Sequence, residues 1–192
     1  TLDRSSAASD VYKRQVYDGT HSDKRSDLIT YQSYNEFSRG INSIPSSDAN
    51  YTDNYKHIRR TNLLLQNAEA YAKPEDIKQY IGEAYFFRAY SYFDLLQLYG
   101  DVIITKKPLD ITDPEMKVKR NDRSEVVDLI IDDLNHAVEN LPAFKELTTE
   151  EEGRISKEGA QAFLSRVALY EGTWQKSRNG NQNTQRSANL LD

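Results

Sequence analysis

Apolar positions in this chain recur at helical intervals, in blocks separated by polar or proline-bearing stretches. From Tyr51 to Ala72, the residues Ile58, Leu65, Ala68 and Ala72 step by seven, three and four, which is one helix stripe. "KPED" then restarts the chain. Pro74 suits a first helical position, and Glu75 and Asp76 complement the positive end of the helix dipole. The second helix is predicted to run to about Tyr99, where Gly100 supplies a left-handed stop. With about 25 residues it would be roughly 37 Å long. Residues 101–121 carry Pro108 and Pro114 between short apolar runs and read as a long extended connection. Asp122 with Glu125 resembles a capping box. The third helix follows, with Val126, Ile130, Leu134, Ala137 and Leu141 on its stripe and Pro142 at its end. A polar loop leads to Ser156 as N-cap of the fourth helix. That helix carries Ala160, Leu164 and Val167 on one stripe, with Phe163, Tyr170 and Trp174 beside it and Gly172 marking its end. The predicted class is all-α: two helical hairpins in tandem, tetratricopeptide-like in architecture, joined by long irregular loops.

The second helix stands apart in its content. "EAYFFRAYSYFDLLQLYGDV" (83–102) has seven aromatic rings from Tyr85 to Tyr99. Projected on a helix, Ile77, Ala84, Phe87, Leu95 and Leu98 form one stripe. Tyr85, Tyr92, Leu96 and Tyr99 form a second, and Phe86, Tyr90 and Phe93 a third. A helix apolar nearly all round is contacted on several sides, so most of these rings are expected in the core. Arg88 and Asp94 point to different sides and are each expected to bond a neighbouring helix or loop. Asp132 and Asp133 read as the solvated rim of the third helix, and Trp174 as a core anchor.

Charge and composition narrow the function classes. The net charge is -5 and no basic block stands out, which gives no footing for nucleic acid. Cysteine is absent, so there is no disulfide, thiolate metal site or thiol nucleophile. His21, His57 and His136 are scattered and form no HExxH pair; no GxSxG, P-loop or GxGxxG occurs. No catalytic residue, metal ligand or cofactor is nominated, and no pair of carboxylates suggests a glycoside hydrolase. The chain has no initiator Met, and "SANLLD" looks like a helix cut short, which reads as a fragment. The opening "SAASDVYKRQ" resembles a translated adapter tail. Residues 1–15 are therefore expected to be a non-native or disordered leader, and 16–192 a partial helical domain.

Three motifs carry a family resemblance: "GEAYFFRAYSYFDLLQLYGDV", "RSEVVDLIIDDLNHAVENLP" and "GRISKEGAQAFLSRVALYEGTW", in that order, with "NYKHIRRTNLLL" upstream. Together they resemble the RagB/SusD family of outer-membrane nutrient-binding lipoproteins over about residues 16–175. The resemblance implies a surface lipoprotein held by a lipidated N-terminal Cys. It implies capture of oligosaccharide or another nutrient, and a SusC-like TonB-dependent transporter as partner. The missing Cys and the stop after the fourth helix fit a truncated chain.

Sugar binding needs a flat ring against apolar C–H groups, with amide or carboxylate groups to meet hydroxyls. The loop "NSIPSSDANYTDNY" (42–55) holds that vocabulary. In the starch-binding member of the family an aromatic residue just before the first helix stacks on sugar, and Tyr51 sits in a similar place. The candidate ligand residues are therefore Asp48, Asn50, Tyr51, Asp53 and Asn54. The same residues also suit an N-cap loop bonding backbone N–H groups. A tetratricopeptide adaptor that binds peptides is the alternative function.

Overall fold

A computed structural model of the chain describes residues 41, 46–110, 112–151 and 153–179. The leader expected at 1–15, residues 42–45 of the candidate loop, and "SANLLD" lie outside the described residues.

Four α-helices follow one another: α1 (Ala49–Glu69), α2 (Lys78–Tyr99), α3 (Arg123–Asn140) and α4 (Lys157–Asn179). They pack in series, α2 on α1, α3 on α2 and α4 on α3, as two tandem hairpins. Helix α1 starts two residues earlier than the periodicity suggests. Asp48 is its cap, with extended backbone and Oδ1 accepting the Asn50 N–H at 2.9 Å. It also ends earlier, at Glu69, so Ala72 falls outside the stripe and is exposed, while Ile58 and Leu65 are buried. Pro74 opens a 3-10 turn, Pro74–Ile77, and α2 proper begins after it. Gly100 stops α2 at φ 70°, its N–H bonded to Leu96 O at 3.1 Å.

Helix α2 lies at the centre, as its composition predicts, yet its rings divide. Tyr92 is fully buried, and Phe86 and Phe93 nearly so. Phe86 and Phe93 pack on Phe163 of α4 at centroid distances of 5.5 and 5.4 Å. Tyr85 and Tyr99 are half-buried. Phe87 is 51% exposed and Tyr90 45%, so these two do not join the core expected of them. Ala84 and Leu95 of their stripe are buried, but Phe87 and Leu98 face outward, because α1, α3 and α4 cover only part of the α2 circumference. Gly82 allows the close approach of the second hairpin. A Cβ there would meet Leu141 Cγ at 2.9 Å.

The connection after α2 is extended, as expected. Its buried Val102 forms an isolated antiparallel bridge with Asn121, whose N–H reaches Val102 O at 2.9 Å. Glu125 Oε2 reaches back to the Asp122 N–H at 3.0 Å, the carboxylate arm of a capping box at the start of α3. The predicted stripe of α3 is buried at every position, and Leu141 closes the helix. Ser156 Oγ accepts the Gly159 N–H at 3.3 Å and caps α4.

Three residues of the second hairpin depart from expectation. Gly172 does not end α4: it is buried mid-helix, and the helix runs on to Asn179. The cost of an interior glycine is offset by the contacts either side of it, Glu171 with Arg123 and Gln175 with Glu171. Asp133 is not a solvated rim residue. It is 1% exposed and holds Arg88 bidentately at 2.8 and 2.6 Å, while Asp132 beside it is exposed. Consecutive helix positions are about 100° apart, so adjacency in sequence says nothing about a shared face. Trp174 is half-buried rather than a core anchor, with the Arg123 guanidinium 3.9 Å over its ring and Arg178 at 5.2 Å. On α2, Arg88 bonds its neighbours as expected, but Asp94 forms no bond among the described residues and burial raises its carboxyl pKa.

Candidate functional site

An open groove lies between the first half of α1 and the connection that follows α2. Its volume is about 570 Å3, within the range of small-ligand sites. Tyr51, Thr52, Tyr55, Lys56 and Arg59 line it from α1, and Ile103, Thr105, Lys107, Leu109 and Asp110 from the connection. The α1 residues recur at i, i+1, i+4, i+5 and i+8, one face of a helix.

The connection forms a wall because side chains hold its backbone. Tyr55 donates its hydroxyl to Ile103 O at 2.7 Å. Asn62 Nδ2 donates to Thr105 O at 2.9 Å and Lys107 O at 3.3 Å. The Tyr92 hydroxyl accepts the Thr105 N–H at 2.8 Å and donates to Thr105 O at 3.2 Å. Arg59 Nε reaches Leu109 O at 3.5 Å. From the far side, Asn121 Oδ1 accepts the Ile104 N–H at 2.9 Å. Asn62 is itself fixed: its Oδ1 takes a bond from Arg88 Nη1 at 2.8 Å, and Arg88 is held by Asp133. The wall of the groove thus traces back through a buried chain of polar groups to α3. Burial, with the Tyr51 hydroxyl beside it, pushes the phenol pKa of Tyr55 far above its ordinary value, so it stays a neutral donor.

The aromatic end of the groove is ordered in the same way. Tyr51 lies 4.7 Å from Tyr55, tilted, and 5.2 Å from Tyr99, edge to face. Tyr99 donates its hydroxyl to Asp48 Oδ2 at 2.7 Å. That bond, with the Asn50 N–H, holds the Asp48 carboxyl below its usual pKa, and the Tyr99 phenol is pushed up to about 12 by burial and by Asp48.

The candidate residues from the loop therefore separate by position. Tyr51 alone lines the groove. Asp48 caps α1 and anchors Tyr99, which backs Tyr51. Asn50 is exposed on the first turn, and Asn54 Nδ2 is turned to Asn50 O at 3.0 Å. Asp53 pairs with Lys56 at 2.8 Å, and Lys56 in turn lines the groove. The N-cap reading thus holds for Asp48, and Tyr51, inside the first turn of α1 and not before it, carries a ring against the groove. The lining residues that the loop composition did not nominate are Thr52, Tyr55, Lys56 and Arg59, together with the connection. Tyr55, Lys56 and Arg59 follow Tyr51 at helical spacing. Nothing local in the connection announced that it would fold back onto α1.

The Asp48 contact has a testable pH signature. A carboxylate whose pKa is lowered on folding stabilises the fold fully above its unfolded value of 3.8, and that contribution disappears as the pH falls through the lowered folded value. Asp48→Asn is expected to flatten this acid limb. A tyrosine fluorescence titration from neutral to acidic pH that looks the same for both proteins would contradict the assignment.

Among the described residues there is no His, Cys, Asp or Glu cluster suited to a metal ion, and no helix is long and apolar enough to cross a membrane. Comparison with known proteins places the chain. Residues 4–169 match the SusD-like family profile described as "Starch-binding associating with outer membrane". The chain belongs to the SusD-like family. SusD-like protein P38 of Formosa agariphila is 33% identical over 133 residues, covering 67% of this chain and 25% of the relative. The chain thus spans about a quarter of the length of that curated relative. A solved SusD-like protein from Bacteroides fragilis superposes with a TM-score of 0.71 at 27% identity, over 95% of this chain and 36% of that one. A laminarin-binding SusD-like protein gives a TM-score of 0.63 at 29% identity, over 78% of this chain and 34% of that one. The tandem hairpins described above are therefore a SusD-like helical fold.

Proposed function

We propose that this chain is part of a glycan-binding outer-membrane protein that passes its ligand to a SusC-like TonB-dependent transporter, and that it binds its ligand without catalysing a reaction. The groove of α1 carries this reading: it sets two tyrosine rings beside hydroxyl and charged groups in an open cleft. A ring of that kind takes the apolar face of a sugar, and the flanking polar groups take its hydroxyls. Tyr51 is the stacking residue in this reading. Asn50, Asp53 and Asn54, on the first two turns of α1 outside the groove lining, are further polar candidates in this reading, and Asp48 keeps the tyrosine cluster in register. The family description and the laminarin-binding relative support an oligosaccharide as ligand. In the full-length protein a lipid anchor would hold this surface outside the cell, with the barrel transporter beneath it.

A glycan array with the full-length protein finds the ligand, and calorimetry on Tyr51→Ala tests the site. Loss of one stacking ring is expected to weaken binding about tenfold, near 1.4 kcal/mol, with the melting temperature little changed. Unchanged affinity removes Tyr51 from the site. Peptide binding without glycan binding would favour the adaptor function. Co-purification with a TonB-dependent barrel tests the partner.

A further inference from the structure

The lining of the groove is cationic in an acidic chain. Lys56, Arg59 and Lys107 face it against the single carboxylate of Asp110, whereas the chain as a whole carries a net charge of -5. Lys56 reaches Asp53 at 2.8 Å and Lys107 reaches Asp113 at 3.8 Å, and neither of those carboxylates lines the groove. The two lysine side chains are 61% and 52% exposed. The Lys56–Asp53 pair, exposed on both sides, is of the weak sort that exchanges partners readily. Arg59 is engaged differently. It offers only Nε, to Leu109 O at a long 3.5 Å. Arg59 lines the groove, and a planar guanidinium there suits the paired oxygens of a carboxylate or sulfate. Lys56 and Arg59 are three residues apart on one helix face, and Lys107 stands on the opposite wall. An anion seated between them meets positive charge from both sides, while the Tyr51 and Tyr55 rings remain available for an adjoining sugar.

From these placements we propose that the ligand is an acidic oligosaccharide, bearing uronate carboxylates or sulfate esters, whose anionic group is received by Arg59 with Lys56 and Lys107 beside it. This proposal rests on the glycan-binding reading above and narrows it.

The test is calorimetry of the full-length protein with three probes of similar length: an oligogalacturonate, a sulfated galactan oligosaccharide and a neutral laminari-oligosaccharide. One or both acidic probes are expected to bind at least about tenfold more tightly than the neutral one at low salt, since a charged hydrogen-bonded contact is typically worth that much. The comparison of the two acidic probes tells carboxylate from sulfate. The preference is expected to shrink toward about 1 M salt, where the screening length falls to roughly 3 Å. Arg59→Ala is expected to abolish the preference and Arg59→Lys to keep part of it, and both variants should melt like the parent because Arg59 is exposed. Tyr51→Ala should weaken acidic and neutral probes alike. Equal or tighter binding of the neutral probe, with Arg59→Ala silent, overturns the acidic assignment and leaves glycan binding standing. A preference that survives both Arg59→Ala and Lys107→Ala overturns it too, by locating the anion elsewhere. If neither the probes nor the array show any bound glycan, both readings fall.

Discussion

Asp133→Ala is expected to destabilise the fold by about 3–5 kcal/mol, the usual consequence of removing one partner from a buried ion pair. Asp133 is 1% exposed and Arg88 6%. The carboxylate takes two hydrogen bonds from the guanidinium, at 2.8 and 2.6 Å. Without it, a positive charge remains buried between α1, α2 and α3 with Asn62 Oδ1 and the face of the Tyr85 ring, but no carboxylate, to meet it. Arg88→Ala should cost a similar amount by stranding the carboxylate. Replacing both, as Arg88→Met with Asp133→Leu, is expected to recover most of the loss, because the penalty comes from the unpaired charge more than from the absent bond. Urea unfolding of the four proteins checks this. If Asp133→Ala lies within about 1 kcal/mol of the parent, the pair is not the lock described here. The same residues give a further contrast. Arg88→Ala should lower the melting temperature more than it weakens ligand, since Arg88 touches the groove only through Asn62.

Tyr92→Ala is expected to be comparably damaging, by about 3–5 kcal/mol. Tyr92 is fully buried, and truncating it leaves a ring-sized void in the α2 core. It also removes the hydroxyl that receives the Thr105 N–H at 2.8 Å. Tyr92→Phe separates the two effects: the ring stays, and only the bonds to Thr105 are lost, which should cost about 1–3 kcal/mol for polar groups left unpaired. Tyr92→Phe should nevertheless impair ligand binding, because Thr105 belongs to the groove wall. Equal destabilisation by Ala and Phe would mean that the hydroxyl, not packing, carries the contribution of Tyr92.

The helices were readable from the sequence for definite reasons. Val126, Ile130, Leu134 and Ala137 keep one stripe over about three turns, and all are buried. Pro74, Gly100, Glu125 and Ser156 act within a turn of their own position, so their roles follow from local geometry. What escaped depends on distance along the chain. Asp133 and its exposed neighbour Asp132 look alike in sequence, and Arg88, which decides between them, lies 45 residues away. Gly172 carries a stop signal that Arg123 overrides from 48 residues away, through Glu171. Phe87 and Tyr90 have core composition, but which side of a central helix is left open depends on the placement of three other helices. In the site, the ring of Tyr51 was legible as a helix-entry aromatic. Lys56 and Arg59 follow Tyr51 at helical spacing, but the third cation, Lys107, arrives on a connection with no periodicity.

That connection is gripped by its peptide units. Tyr55, Asn62, Tyr92, Arg59 and Asn121 all meet main-chain atoms, between Ile103 and Leu109, and none of these grips depends on the identity of the side chain it holds. Residues 103, 107 and 109 can therefore be exchanged while the wall keeps its course, with proline barred from 104 and 105, whose N–H groups are used. A scaffold of this kind lets selection rewrite ligand preference by point substitution in one short segment, without a stability threshold to cross at each step. The groove is in that sense an adaptable surface on a fixed frame, and a library randomised at those three positions should return mostly folded proteins.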